Sequence, residues 1–386
     1  MVIVEYAYST LKLESLMPSP LRSSFIGCLA VGACTASSAV VSSSSRPSVT
    51  TASSAQSWPA PAPGKVHHLE PTPETVAWGW YDAAGKPVLT IASGDELDVG
   101  TVSTCNPSTL VRNGVDSSEL ETSVKQIYAA RTAGTLKSGP GGHILTGPVY
   151  VEGADSGDVL EVRIKKIDLA IPYACNGFSS RSGFLPEDFP TGYSHSKIIR
   201  LDAARMIGHF GDGIEIPLHP FYGSIGVAPD SSRGRVNSAP PGTHAGNLDN
   251  KELVAGSTLY IPIHAKGALF EIGDGHAGQG NGEVDITALE TSLRGRLQLV
   301  VRKDMHLTWP RAETPTHWIA MGVDSSLVQA PKIAVREAIA LLQSVKGLSK
   351  DDAYMLVSAA CDVDITQLVD GPVGVHVMIP KNLFKK

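Results

Sequence analysis

Between Ala268 and Glu290 the chain reads ALFEIGDGHAGQGNGEVDITALE, with glycine at 273, 275, 278, 280 and 282 and Asp274, His276, Gln279, Asn281 and Glu283 set among them. Asp, His and Glu are the borderline-hard donors that hold catalytic zinc and similar divalent ions, with a carboxylate left over to move a proton. Glycine this frequent costs chain entropy, and is found where backbone takes φ > 0 or closely approaches something bound. Asp274 and His276 are two apart, so on extended chain they project to one side and can ligate together. The stretch therefore reads as a hydrolytic site in a loop between two strands. Three other readings compete. Gly273 to Gly278 is formally G-x-G-x-x-G, but a dinucleotide site needs a helix to follow, and here more glycine and a strand-like run follow. A calcium loop of the EF-hand type needs glycine at its sixth position, where counting from Asp274 finds Gln279. A plain solvated glycine-rich turn is the bland alternative.

The elements that must position this loop are mostly strands. Leu259–Ile261 through Phe270–Ile272 leads into it, and Val284, Ile286 and Ala288 alternate on the way out. Val88–Ala92, Val149–Glu152, Val159–Ile167, Arg294–Arg302 and Ile319–Val323 are further strand candidates at short spacing, as in a sandwich or barrel. Residues 173–209 show few clear strands, and Phe178–Tyr193 reads as a long aromatic-bearing loop. The period then changes: Ile333, Ala334, Ala338, Leu341, Leu342 and Val345 recur at helical spacing up to Gly347, and Ser349 opens a second helix through Ala360. The fold class expected is α+β, mainly β, with C-terminal helices packed on a sandwich- or barrel-like core.

GALFEIGDGHAGQGNGEV resembles the signature loop of the acetamidase/formamidase family. So do HILTGPVYVEGADSGDVLEVRI (143–164), FYGSIGVAP (221–229), GNLDNKELVAGSTLYIPIHAKGALF (246–270) and GLSKDDAYMLVSAACDVDITQLVDGPVGVHVMIPK (347–381), from about Val88 to the C-terminus and in the same order. The resemblance implies hydrolysis of short linear amides to a carboxylate and ammonia, and an oligomer. It places His143 and Glu152 beside the pocket and makes Asn247, Asp249 and Gln279 candidates for substrate binding. One departure is Asn281, where the family usually has Asp. In the resulting scheme Asp274 and His276, with His143, hold a divalent ion, zinc foremost and calcium as the alternative. His276, Glu283 and Glu152 form the catalytic group, and either glutamate could be the base. The competing class is an exported β-sandwich that binds a ligand or calcium without catalysis, or a metal hydrolase of another C–N bond.

Composition narrows the remaining choices. A net charge of −6 over 386 residues argues against a nucleic-acid partner held through phosphates, and no segment has the apolar length of a bilayer-spanning helix. Residues 1–64 form an expected signal and Ser/Ala/Pro-rich linker ahead of a catalytic domain over 65–386. Arg22, the apolar run Phe25–Ala33 and the small residues that follow point to export, with Met17 as the start. Val31–Cys34 resembles a lipoprotein box that would lipidate Cys34, with plain cleavage near Ala36–Ala39, an organellar transit peptide or a cytoplasmic protein as alternatives. The five cysteines show neither a disulfide framework nor zinc-ribbon spacing, so Cys105, Cys175 and Cys361 read as small buried hydrophobes.

Overall fold

A computed structural model describes residues 64–385. The expected signal segment, linker and Cys34 lie outside the described residues. Two sheets face each other. The first runs in the order Val66–Leu69, Glu96–Gly100, Leu293–Arg302, Val159–Leu169, Thr258–Pro262, Arg311–Glu313, His317–Asp324, Val373–Pro380, Asp362–Gln367. All its pairings are antiparallel except the first. Leu97, Val162, Leu259 and Leu297 of this sheet and Val149, Ile225, Phe270 and Ile272 of the other share one buried apolar cluster. That is a sandwich core built by alternation.

The second sheet is organised around Phe270–His276. Phe221–Gly226 pairs with it along one side, from Phe221 opposite His276 to Gly226 opposite Glu271. The other side is shared: Ile144–Val151 takes Phe270 to Gly273, and the two-residue strand Glu290–Thr291 takes Gly275 and His276. From Glu290 the sheet continues through Tyr173–Ser179, Ser194–Asp202, Ile207–Gly211 and Ile214–Pro217. At the fork Asp274 takes φ +54°. Phe270 and Ile272 enter the core, and a Cβ at Gly275 would meet core residue Leu293 at 2.7 Å. The alternation thus slips by one at Asp274, and Asp274 and His276 leave the core face.

The helices Gln329–Lys346 and Lys350–Ala360 pack on His317–Asp324 and Val373–Pro380 through Ala330, Ala334, Ala338, Leu342 and Val357. Gly322 permits the close approach, since a Cβ there would meet Ala330 O and Ala334 N at 2.5 Å. Gly347 ends the first helix at φ +64°, and Ser349 Oγ caps the second by accepting from Asp352 N at 3.0 Å. Two smaller helices span Pro107–Arg112 and Thr122–Thr132.

Four sequence expectations change. Asp274 and His276 lie on a strand rather than in the loop, because the sheet accepts glycines where other strands crowd in. Val284–Ala288 holds turns and a bend with no strand, and its exposure falls steadily from exposed Val284 to buried Ala288 instead of alternating. Residues 173–211 hold three antiparallel strands, whose half-exposed pattern hides them from hydropathy. Cys105 and Cys175 are joined in a disulfide, with Cα atoms 6.3 Å apart and 70 residues between them in sequence. Cys361, the third cysteine expected to be a small buried hydrophobe, is half-buried and unpaired.

Gly275 sits between the two residues of greatest chemical interest, and a methyl group added to its Cα would meet Leu293 and Thr291 O at 2.7 Å. Gly275→Ala is expected to destabilise the fold by about 1–3 kcal/mol, the range for overpacking. Denaturant unfolding measures it, and a midpoint unchanged from the parent would refute the crowding.

Candidate active site

His276 is 1 % exposed and stands at the centre of the site. Its Nε2 lies 3.3 Å from Asp274 Oδ2 and 3.2 Å from Glu290 Oε1. Its Nδ1 lies 3.0 Å from Gln279 Oε1 and 3.9 Å from Asp249 Oδ1. Gln279 decides the tautomer. Its Nε2 donates to the Asp249 carbonyl oxygen at 2.8 Å, and a carbonyl can only accept, so Gln279 turns its Oε1 to the imidazole. Nδ1 therefore carries hydrogen, and Nε2 faces Asp274 and Glu290. Phe221 meets the ring edge-on at 5.0 Å between centroids.

Among the described residues, two groups of three could hold a cation: Asp274, His276 and Glu290, and Asp249, His276 and Glu283, with donor atoms in each group within 4.8 Å of one another. The first uses the nitrogen that Gln279 leaves available. His276 Nε2, Asp249 Oδ1 and Asp370 Oδ2 are buried without a hydrogen-bond partner. Opposite them is Gly223, where a Cβ would collide with the carboxylates of Asp249 and Asp274 and with the His276 ring. A carboxylate-rich set with one imidazole suits a borderline-hard or hard divalent ion.

The remaining expected residues divide. Asn247 Nδ2 donates to Asp249 Oδ2 at 2.6 Å, so both are in the cluster. His143 stands at its rim, with Nε2 3.8 Å from Asp274 Oδ2 and Nδ1 3.0 Å from Ser238 Oγ. Glu283 is buried beside Asp249 and also lines a cleft of about 710 Å³ with Gln279, Asn281, Lys251 and Leu289. Glu152 is not brought in: its strand ends at Val151, and Glu152 is exposed on the turn beyond, its N–H donating to Ile91 O. Asn281 is exposed in the cleft wall, apart from the acidic cluster. Sequence reasoning missed three members. Glu290 stood at the end of an assumed strand, Asp370 in a Val-Asp-Gly-Pro turn whose composition is ordinary turn chemistry, and Gly223 among many glycines. Only pairing opposite His276 marks Glu290.

Charge is crowded here. Burial alone would lower the pKa of His276, but Glu290 and Asp274 outweigh it and hold the group well above its ordinary value. Burial would raise Asp274, yet His143 and His276 hold it below the usual carboxylate range. Asp249 and Glu283 are pushed well up, first by burial; neighbouring carboxylates add to the rise and His276 opposes it. Burial likewise raises Asp370 to about 6, against a hydrogen bond to Asp249. The cluster thus carries protons that a divalent cation would replace.

The model of the Acetamidase/Formamidase family matches residues 135–233 and 231–386. The chain is 26% identical over 191 residues to the formamidase of Methylophilus methylotrophus, an alignment over 37% of this chain and 47% of that protein. The chain thus spans about half the length of the curated relatives it matches. Among solved structures, an acetamidase from Yersinia enterocolitica matches with a TM-score of 0.70 at 28% identity, over 83% of this chain and 93% of that one. An acetamidase from Bacillus halodurans gives 0.69 at 26%, over 82% and 98%.

A titration with cation tests the cluster. Asp249, Glu283 and Asp370 have raised pKa values, so the folded chain keeps protons there that the unfolded chain releases near pH 4. The cation-free fold accordingly loses stability as pH climbs above about 4 and through those raised values. Zinc at a hundredfold excess over its Kd should stabilise the fold by about 2.7 kcal/mol, and at one fixed zinc concentration the rise in Tm should be larger at pH 7.5 than at pH 5. Asp274→Asn should abolish the shift. An equal shift in that variant would remove Asp274 from the donor set.

Proposed function

We propose that this chain, which belongs to the acetamidase/formamidase family, hydrolyses the C–N bond of short linear amides to a carboxylate and ammonia. The observation that carries the reading is His276, pinned by Gln279 with Nε2 toward Asp274 and Glu290, next to a protonatable Glu283 that opens on a cleft. An amide resists water because resonance quenches its carbonyl and the amine leaves poorly. Asp274, His276 and Glu290 would hold a divalent ion, zinc being our reading of the donor set, with His143 at the rim. Bound there, such an ion supplies polarisation of the carbonyl and acidification of water.

The chain's own groups do the rest. With a cation in place of the cluster's protons, Glu283 takes a proton from the attacking water and returns it to the departing nitrogen. Asn247 fixes Asp249 by its hydrogen bond, and Asp249 in turn fixes Gln279 through its carbonyl oxygen. Burial of His276 and Asp274 keeps bulk water from the reacting groups. The substrate enters by the cleft, whose wall of Phe210, Ile216, Pro217 and Leu289 has room for an acyl chain beyond one methyl. We also propose an oligomer, supported by exposed Phe184, Leu185, Phe189 and Tyr193 on the 180–193 loop, and an oxidising compartment outside the cytosol, supported by the Cys105–Cys175 bond.

Ammonia release from formamide and acetamide tests the reading, and should stop on chelation and return with zinc. Glu283→Gln is expected to lower kcat by roughly 100- to 10,000-fold while the zinc-dependent rise in Tm persists. Glu152→Gln should leave turnover within about twofold, as for a surface residue. Full hydrolysis by chelated protein, verified by elemental analysis, would overturn the ion's part. Absence of any ammonia from either amide or from butyramide would overturn the activity.

A further inference from the structure

We propose that the disulfide between Cys105 and Cys175 is a positioning element for Glu290, so that the centre described above is fully assembled only while that bond is oxidised. This rests on the reading of Glu290 as part of the hydrolytic site. Glu290 belongs to a strand of two residues, preceded by turns, and has little regular structure of its own. It is held from two sides. On one it pairs with His276, and on the other with Cys175 in the strand Tyr173–Ser179. Its side chain needs a third support. Thr104 Oγ1 donates to Glu290 Oε2 at 2.9 Å, which leaves Oε1 to accept from Ala288 N at 2.9 Å and to face His276 Nε2.

Thr104 lies in the irregular stretch between the strand ending at Gly100 and the helix starting at Pro107. The next residue is Cys105, whose Sγ lies 3.6 Å from the Glu290 carbonyl oxygen and is bonded to Cys175. The disulfide therefore joins the residue beside Thr104 to the residue opposite Glu290, and closes a small ring of contacts around that carboxylate. Cys105 also packs in a satellite apolar cluster with Leu110, Val115, Leu120, Ile171 and Tyr173. That cluster keeps the region folded when the bond opens, while the placement of the Thr104 hydroxyl loosens.

Reduction with dithiothreitol is the direct test. Two thiol–disulfide exchanges return both cysteines to thiols and close the reagent to its cyclic disulfide. Opening the bond, by reduction or in Cys105→Ser/Cys175→Ser, should lower kcat by about 10- to 100-fold, the usual cost of losing support behind a ligand. KM should change much less, and the rise in Tm on adding zinc should shrink. Thr104→Val, with the disulfide intact, should reproduce the loss. In that background, opening the bond should cost no more than about a further twofold, because the two act through one carboxylate.

Losses that multiply instead would show that the disulfide does not act through Thr104 and Glu290, and would overturn the proposal. So would unchanged kcat on complete reduction, or recovery of Cys105 and Cys175 as thiols from active native protein by mass mapping. Should the double serine variant not fold, Thr104→Val and reduction of the parent chain still decide. Glu290→Gln separates the two levels. If it retains full hydrolysis, the site reading fails; if it is inactive while the reduced parent chain is not, only the positioning role fails.

Discussion

The contact of His276 Nε2 with Asp274 and Glu290 sets the terms for everything around it. Asp249, Asp274, Glu283, Glu290 and Asp370 all lie near one buried imidazole, and all but the half-buried Asp370 are themselves buried. Buried charges of one sign cannot all stand uncompensated. The group must keep protons on its carboxyls or take up a divalent cation, and the opposed pKa directions of Asp274 and Glu283 are two sides of that choice. Such a separation of neighbouring carboxyls is the pattern that the proposed acid–base role of Glu283 and anionic role of Asp274 require.

Holding these groups together strains the backbone. Asp249, Asp274 and Glu283 take φ of +49°, +54° and +44°, in the left-handed region that residues with a Cβ avoid. Each such residue costs on the order of 1–3 kcal/mol, and persists where its surroundings over-determine it. Here the surroundings are rigid. Asp274 is on a strand that is paired along both sides, and Gly223 removes a side chain that would collide with its carboxylate. A site built on a strand in this way holds its geometry more tightly than one carried by a free loop.

That distinction explains what could and could not be read beforehand. The C-terminal helices were legible because their apolar spacing, Gly347 and the Ser349 cap all agree. Asp274, His276 and Glu283 were legible because their residue types cluster in sequence. Their setting was not: glycines that look like a loop are here the means by which a strand is crowded from both sides. Glu290 comes to the cluster through pairing with His276 and Cys175, Asp370 lies on the turn between Asp362–Gln367 and Val373–Pro380, and the Cys105–Cys175 bond spans 70 residues, so no local pattern carries them. Glu152 shows the converse. Its strand is present as expected, but one residue of register places it on the exposed turn.

The loop from Gly278 to Leu289 supplies both Glu283 and one wall of the cleft. It has no strand pairing of its own beyond a bridge from Gly282 to Gln367, yet it is stitched at both edges. On one side Gly282 N donates to Thr366 O and Leu368 N donates to Gly282 O. On the other, Asn176 Nδ2 reaches Asp285, Thr287 and Ala288, and Gly177 N donates to Thr287 Oγ1. These bonds offset the strain at Glu283 and fix the cleft wall by the same act. Asn176 directly follows Cys175, so the strand that anchors this wall is also the one tied to Glu290. The proposed proton-moving carboxylate, the candidate ligand and the cleft wall are therefore not independent parts. A displacement of the strand Tyr173–Ser179 would move all three, which places the mechanical centre of the site outside the residues that do its chemistry.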